Sequence, residues 1–210
     1  MANPWVLFEE ALAEVGDKRR DCLQAVIEAV SACDGTEADR AELVAAAKAE
    51  LARAGALTLA EACVACAEAE SFGRAGWSDY YLAEAASALG RPDIVLARLA
   101  RIPPDFFRIR ELAWRDARCQ ELEALAHLEL GDWARTDLLV DELAAAYALR
   151  GDADDFAPPR DLVAKLLLDM PRGFRSLAAL AASLDLDSWL DPTLAGRVHA
   201  ALDRKTEGGT

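Results

Sequence analysis

The chain has 210 residues, which is room for one domain or one compact repeat array. Alanine and leucine supply 77 of them, and isoleucine, valine and threonine only 20, so the composition favours an all-α fold over a large sheet. The formal net charge of −14 repels phosphate groups, which argues against nucleic acid or an anionic membrane as a direct partner.

Hydrophobic periodicity and helix-stop residues predict eleven helices along the chain. In chain order they lie near residues 4–15, 17–33, 37–54, 58–72, 78–89, 92–102, 106–130, 132–150, 159–170, 174–184 and 192–204. The predicted N-caps are Asn3 before Pro4, Thr36, Thr58 in a capping box with Glu61, Ser78, and Asp191 before Pro192. Residues 151–158 are predicted to form a loop and residues 206–210 a flexible tail.

Glycines that resemble helix stops recur at similar spacings. They are Gly16, Gly55, Gly90, Gly131 and Gly173, separated by 39, 35, 41 and 42 residues. Glycine suits a helix C-terminus because the residue after a helix often takes a left-handed conformation that glycine adopts at low cost. A period of this length, with one tight turn in each unit, is typical of a repeating helical hairpin.

Two of these turns resemble the mid-hairpin turn of tetratricopeptide repeats: Leu128–Trp133 and Ala88–Asp93. That family places a small residue five positions after the turn glycine. The corresponding residues here are Ala60, Val95, Thr136 and Ala178, with Asp21 in the first unit. The resemblance implies a divergent α-solenoid of about five antiparallel helical hairpins with a C-terminal capping helix, in a single domain over residues 1–205. Stacked hairpins create a groove that suits a peptide or a helix of another protein.

The segment from Arg91 to Arg118 departs from the general acidity, with seven arginines and four acidic residues. Guanidinium groups bind carboxylates in a bidentate manner and aromatic rings supply anchoring area, so this segment is predicted to bind a partner protein or peptide. The candidate partner-binding residues are Arg98, Arg101, Phe106, Phe107, Arg108, Arg110, Trp114, Arg115 and Arg118. The alternative is that these arginines pair with nearby acids on a helix face while the aromatic rings pack in the core.

The remaining motifs are weaker indications of chemistry. Cys63 and Cys66 lack the further ligands that a zinc site needs, so they are predicted to pack in the core. His127 and His199 are the only histidines, and His127 is interpreted as a partnered boundary residue rather than a base. Asp152–Asp155 matches a DxDD pattern but is interpreted as a solvated turn, and helix capping explains the acidic group Asp185, Asp187 and Asp191.

These observations predict a non-enzymatic scaffold or adaptor that needs no cofactor or metal. Two alternatives stay open: a structural or regulatory subunit locked to a larger enzyme, and a small helical enzyme that uses His127 or His199. The five cysteines and the absence of a basic and apolar start favour a reducing cytoplasm. No apolar run reaches 18 residues, so no membrane helix is predicted.

Overall fold

The computed structural model describes residues 3–32, 35–107, 112–150, 161–171, 174–184 and 192–206. Across these ranges all regular elements are helical and none is a strand, which confirms the predicted all-α class. The chain divides into two compact units, Met1–Phe106 and Phe107–Thr210, which we call unit 1 and unit 2 and describe separately. The prediction of a single domain over residues 1–205 stays a prediction.

Unit 1 consists of six α-helices and one short 3₁₀ turn in its described part. They are α1 (Pro4–Ala13), α2 (Gly16–Ala29), the 3₁₀ turn Val30–Ala32, α3 (Glu37–Arg53), α4 (Leu59–Ser71), α5 (Ala75–Ala88) and α6 (Pro92–Leu99). Each helix contacts the next one along the chain. In addition α1 contacts α3, and α3 contacts α5, so alternate helices also pack together.

Three of the predicted N-caps, Asn3, Thr36 and Thr58, are confirmed. Asn3 accepts a hydrogen bond from the Trp5 amide at 3.0 Å, and Thr36 and Thr58 each form a capping box with the acidic residue three positions later. The prediction of an N-cap at Ser78 is wrong. Ser78 lies inside α5, where its buried hydroxyl donates to the carbonyl oxygen of Cys66 at 3.2 Å.

Positive backbone φ angles and the helix ends confirm the prediction of helix-stop glycines at Gly55, Gly90 and Gly131. Gly16 also has a positive φ, but α1 ends earlier, at Ala13, and Gly16 is the first residue of α2. At Gly90 the Arg91 amide donates to the Ala86 carbonyl at 2.9 Å, which is the long hydrogen bond of a Schellman motif. Gly73 has φ of 81° and ends α4 in the same way, although the sequence analysis did not single it out. Gly173 lies outside the described residues.

Alanines dominate the interface where α3, α4 and α5 meet. The buried residues there are Ala41, Ala45, Ala49, Ala52, Ala62, Ala65, Cys66, Ala69, Leu82 and Ala85. Such small side chains allow helix axes to approach closely, so the helices exclude water with little side-chain volume between them. Larger residues fill the neighbouring cluster between α1, α2 and α3, with Phe8, Leu23 and Leu43 at its centre.

Unit 2 contains five α-helices in its described part. They are α7 (Ala113–Glu129), α8 (Trp133–Arg150), α9 (Asp161–Asp169), α10 (Arg175–Ala182) and α11 (Pro192–Thr206). Contacts join α7 to α8 and α9, α8 to α10, and α9 to α11.

The helix predicted over residues 106–130 begins later than expected, because α7 starts at Ala113. Residues 104–107 form turns instead, with the Phe106 amide donating to the Pro103 carbonyl at 2.9 Å.

The positions five residues after each turn glycine do not behave uniformly. Val95 and Thr136 are each 1% exposed, as the resemblance to tetratricopeptide hairpins implies. Ala60, Ala178 and Asp21 are exposed, so a close helix crossing does not recur there. In the predicted tail, Thr206 ends α11, and residues 207–210 lie outside the described part, as does the predicted loop 151–158.

Candidate functional site

The first two predicted partner-binding arginines form ion pairs inside unit 1. Arg98 Nη1 lies 3.1 Å from Asp79 Oδ1, and Arg101 Nε lies 3.2 Å from Asp79 Oδ2. Arg101 Nη2 also contacts Glu70 Oε2 at 3.0 Å. The Asp79 side chain is 1% exposed, and burial raises its pKa although both arginines act in the opposite direction. These arginines therefore hold α6 and its following turn against α4 and α5.

Phe106 packs against α5 in the same unit. Gly76 makes room for it: a Cβ added there would lie 2.6 Å from the ring carbons of Phe106. The ring also contacts Trp77 edge-on, with centroids 5.7 Å apart, and Trp77 stacks on Tyr81 at 6.0 Å. Phe106 is thus a packing residue that joins the turn after α6 to the start of α5.

Gly76→Ala is expected to lower the free energy of unfolding by about 1–3 kcal/mol, because the added methyl group collides with the Phe106 ring. In an open helix position the same change normally stabilises by about 1 kcal/mol. Urea titration of the single variants and of Gly76→Ala in a Phe106→Ala background separates the two effects. In that background Gly76→Ala should become stabilising. An equal effect of Gly76→Ala in both backgrounds would contradict the contact.

The other predicted residues fall in unit 2 or outside the described residues. Phe107 is 2% exposed, Trp114 is half-buried, and the Arg115 guanidinium lies 4.4 Å from the centre of the Trp114 ring. Arg108 and Arg110 lie outside the described residues. Trp114 and Arg115 are therefore the pair of predicted residues that unit 2 brings together at a partly exposed place.

Arg118 belongs to a buried cluster of polar residues instead of a surface. Its side chain is 1% exposed and its Nη1 lies 3.3 Å from Glu121 Oε2 and 2.8 Å from Asp161 Oδ1. Glu121 is fully buried and also accepts a hydrogen bond from the Tyr147 hydroxyl. Burial raises the pKa of Glu121 to about 7 against the effects of Arg118 and Tyr147. This cluster links α7, α8 and α9.

For the described members of the arginine and aromatic segment, the observed contacts agree with the alternative interpretation. Arg98, Arg101 and Arg118 pair with internal carboxylates, and Phe106 and Phe107 pack against the protein. Binding of a partner by this segment stays a prediction.

An open groove of about 370 Å³ lies elsewhere in unit 1. Its lining residues come from the 3₁₀ turn, α3 and α4: Val30, Ser31, Glu37, Arg40, Ala41, Val44, Glu68 and Phe72. We call it the α3–α4 groove. This volume lies at the lower end of the range for ligand pockets, about 300–1,000 Å³. Val30, Ala41, Val44 and Phe72 give the groove an apolar lining, and the Phe72 residue is 41% exposed.

Two carboxylates on the groove have no ion pair within the part of the chain that the structure describes: those of Glu37 and Glu68. The one basic lining residue, Arg40, donates from Nη1 to the Gly35 carbonyl at 2.7 Å. Val64, 70% exposed, precedes Glu68 by four residues on α4 and so shares its face. The groove therefore combines apolar surface with negative charge.

The α3–α4 groove was not among the predicted sites, although α4 carries a signal for it. The buried stripe of α4 is Ala62, Ala65, Cys66 and Ala69. Val64 lies on the opposite side of α4, where an α-helix of a globular protein normally presents polar residues. Phe72 follows Ala69 by three positions and continues the stripe just beyond the end of α4, where it is 41% exposed.

A second open cavity, of about 380 Å³, lies beside the start of α2. Its lining includes Arg19, Arg20 and Arg53. Arg19 pairs with Glu50 at 2.5 Å, Arg53 pairs with the same carboxylate group at 3.5 Å, and Arg20 pairs with Asp17. Because these charges compensate one another, this cavity offers less recognition chemistry than the α3–α4 groove.

Of the cysteine pair, Cys66 is confirmed as a core residue and is fully buried. Burial raises the pKa of its thiol to about 12, so it stays protonated at neutral pH. Cys63 is half-buried beside Arg98, whose guanidinium lies 3.9 Å from the sulfur. Across the described residues no group of three or more His, Cys, Asp or Glu side chains is arranged to hold a metal ion.

Both histidines belong to unit 2, and neither is a lining residue of the α3–α4 groove. His127 Nδ1 lies 3.2 Å from Asp132 Oδ2 at the turn between α7 and α8, and its Nε2 lies 4.0 Å from Glu123 Oε1. This arrangement fits the predicted boundary residue with a polar partner. His199 lies exposed on α11. The acidic groups 152–155 and 185–191 fall outside the described residues.

No helix in the described ranges has both the length and the apolar character that crossing a bilayer requires. Comparison of the chain with protein-family models, with curated proteins and with solved structures gives no match.

Proposed function

We propose that this protein is a non-enzymatic interaction module that binds a segment of another protein in the α3–α4 groove. The observation that carries the proposal is the groove itself: an open volume of about 370 Å³ with Val44 and Phe72 on its lining and two carboxylates without an ion pair among the described residues. Apolar surface that lines an open groove and has polar residues at its rim is typical of interaction sites.

We propose further that the helices of unit 1 form a stack of hairpins that resembles tetratricopeptide repeats. It is supported by the contacts of α1 with α3 and of α3 with α5, which alternate with the contacts between consecutive helices. It is supported also by the Schellman turns at Gly55 and Gly90, which end α3 and α5. Each hairpin alone leaves an apolar face uncovered, so the neighbouring hairpin supplies stability and the outer faces remain for partners.

We expect the module to work in the cytoplasm as a scaffold or adaptor. Cys22, Cys63 and Cys66 are free thiols, which a reducing compartment preserves. The acidic surface, with 37 acidic against 23 basic residues, keeps nucleic acid and anionic membranes away and leaves proteins as the natural partners.

The experiment is affinity capture from the native cell extract with the intact chain as bait, compared with two matched variants. Phe72→Asp places a charge on the groove, and Phe72 is the C-cap of α4 before Gly73. Leu89→Asp is the control, because Leu89 is the C-cap of α5 before Gly90 and is equally exposed at 40%. Circular dichroism of both variants checks that the fold is kept.

We expect Phe72→Asp to abolish capture of a partner that wild type and Leu89→Asp retain. Quantitative mass spectrometry of the three eluates measures this difference. A fourth bait tests the arginine segment through Arg108→Glu, Arg110→Glu and Arg115→Glu together. Loss of the partner with that bait, but not with Phe72→Asp, would move the site to the arginine segment. Equal eluates from all four baits would contradict the proposed function.

A further inference from the structure

We infer that the occupant of the α3–α4 groove is an amphipathic helix of the partner, with aliphatic side chains on one face and lysine or arginine on both sides of that face. This inference rests on the proposed function and specifies the chemistry of the partner. It follows from three features of the groove: the spacing of its lining residues, the length of the rows they form, and its charge.

The lining residues form two helical rows. On α3, Glu37, Ala41 and Val44 follow one another at intervals of four and three residues, which places them on one face. At the end of α4, the lining residues Glu68 and Phe72 are four positions apart, and the exposed Val64 lies four positions before Glu68, outside the lining. At a rise of 1.5 Å per residue the α3 row extends about 10 Å, and the row along α4 extends about 6 Å from Glu68 to Phe72 and about 12 Å when Val64 is included.

A partner helix suits two such rows because its own side chains repeat at the same intervals. In the helix-in-groove mode, anchors at positions i, i+3, i+4 and i+7 enter an apolar groove between helices. Val30, Val44 and Phe72 supply the apolar contacts for these anchors. A lysine-rich segment with no apolar face would leave those side chains in water and gain only screened charge contacts.

The charge of the groove specifies what flanks the apolar face. Glu37 and Glu68 contribute carboxylates, and Arg40 is held by the Gly35 carbonyl. The surrounding stretch, residues 21–72, has ten acidic residues and three basic ones, so it carries half of the net charge of the chain. A field of this sign attracts a cationic segment and repels an acidic one, and charge complementarity of this kind selects partners and accelerates encounter.

The test uses synthetic peptides and the full chain. The probe is a fluorescein-labelled 16-residue peptide with leucine at i, i+3, i+4 and i+7 and lysine at most other positions. One control peptide has the same composition with the leucines spread around the helix, and another has glutamate for lysine. Fluorescence anisotropy in buffers of low and physiological salt gives the dissociation constants.

Two charge-reversal variants locate the site. Glu37→Lys with Glu68→Lys changes the groove, and Glu9→Lys with Glu10→Lys makes the same charge change on exposed positions of α1. We expect the groove variant to weaken binding of the amphipathic basic peptide about tenfold or more and the α1 variant to weaken it about twofold at most. Both control peptides should bind at least about tenfold more weakly than the probe.

Equal loss of affinity in the two charge-reversal variants would overturn the inference, because the peptide would then respond to net charge alone. Equal binding of the probe and the glutamate peptide would also overturn it. The affinity-capture experiment separates the two levels of the account. Suppose that a partner is lost with Phe72→Asp but retained with the variant that carries both Glu37→Lys and Glu68→Lys. That result contradicts a basic helix as the occupant and still supports the groove as the binding site. A capture that does not respond to Phe72→Asp contradicts the proposed function itself.

Discussion

Arg118→Met is expected to lower the free energy of unfolding by about 3–5 kcal/mol at pH 8, because it leaves the buried Glu121 carboxylate without its guanidinium partner. Methionine fills a similar volume, so the lost charge dominates the effect. Urea titrations followed by circular dichroism, at pH 5, 6, 7 and 8, give the free energy of unfolding at each pH.

The pH dependence has a definite sign. Burial raises the pKa of Glu121 to about 7 from an ordinary value of 4.5, so the folded protein binds a proton that the unfolded chain has released. The stability that Glu121 contributes is therefore present below about pH 4.5 and is lost as pH rises to about 7. Without Arg118 the carboxylate is harder to ionise, so the penalty of Arg118→Met should grow from pH 5 to pH 8.

Glu121→Gln, combined with Arg118→Met, is the control for this mechanism. The glutamine side chain keeps an oxygen for the Tyr147 hydroxyl and removes the charge. The double variant should be more stable at pH 8 than Arg118→Met alone, and its stability should change less with pH. A penalty for Arg118→Met that is the same at every pH would show that Glu121 ionisation has no part in it.

Ala69→Leu is the second substitution with a large expected effect. Ala69 is fully buried in the alanine-rich interface of α3, α4 and α5, where a larger side chain has no space unless the helices move apart. Overpacking of this kind costs about 3 kcal/mol. Urea titration should show that loss.

Ala67→Leu is the matched control, because Ala67 lies two residues away on the exposed face of the same helix. Alanine and leucine have similar helix propensities, so this variant should change the free energy of unfolding by no more than about 0.5 kcal/mol. If Ala69→Leu and Ala67→Leu were equally stable, the close approach of α3, α4 and α5 would be contradicted.

The helical elements could be predicted from sequence because their signals are local. Within one turn, the Thr58 hydroxyl accepts a hydrogen bond from the Glu61 amide, and the Glu61 carboxylate accepts one from the Thr58 amide. Gly90 ends α5 through its own φ of 64°. These interactions depend on residues a few positions apart. The N-cap prediction at Ser78 failed because its hydroxyl donates to the Cys66 carbonyl on α4, and a contact between two helices cannot be predicted from neighbouring residues.

The contacts of the predicted arginines depend on packing that sequence spacing does not reveal. Arg98 pairs with Asp79, 19 residues away, and Arg118 pairs with Asp161, 43 residues away. Counting charges along residues 91–118 gives a net positive charge. In the fold, however, most of the described arginines of this segment form ion pairs with carboxylates of the protein itself. The predicted helix start at residue 106 fails for a similar reason, because Phe106 lies in a turn and packs over Gly76 of α5.

The α3–α4 groove was missed for the opposite reason. Its residues are unremarkable one at a time, and only the arrangement of the 3₁₀ turn, α3 and α4 brings Val30, Val44 and Phe72 around one space. The exposed Phe72 at the end of α4 is the local sign of this surface.

Hydrogen–deuterium exchange of the chain with and without its captured partner measures where on the protein the partner binds. We expect the bound partner to slow exchange in residues 37–44 of α3 and in residues 64–72 at the end of α4, and to leave the exposed end of α5 around Leu89 unchanged. Slower exchange confined to residues 91–118, with no change in α3 or α4, would show that the partner binds the arginine segment and not the α3–α4 groove.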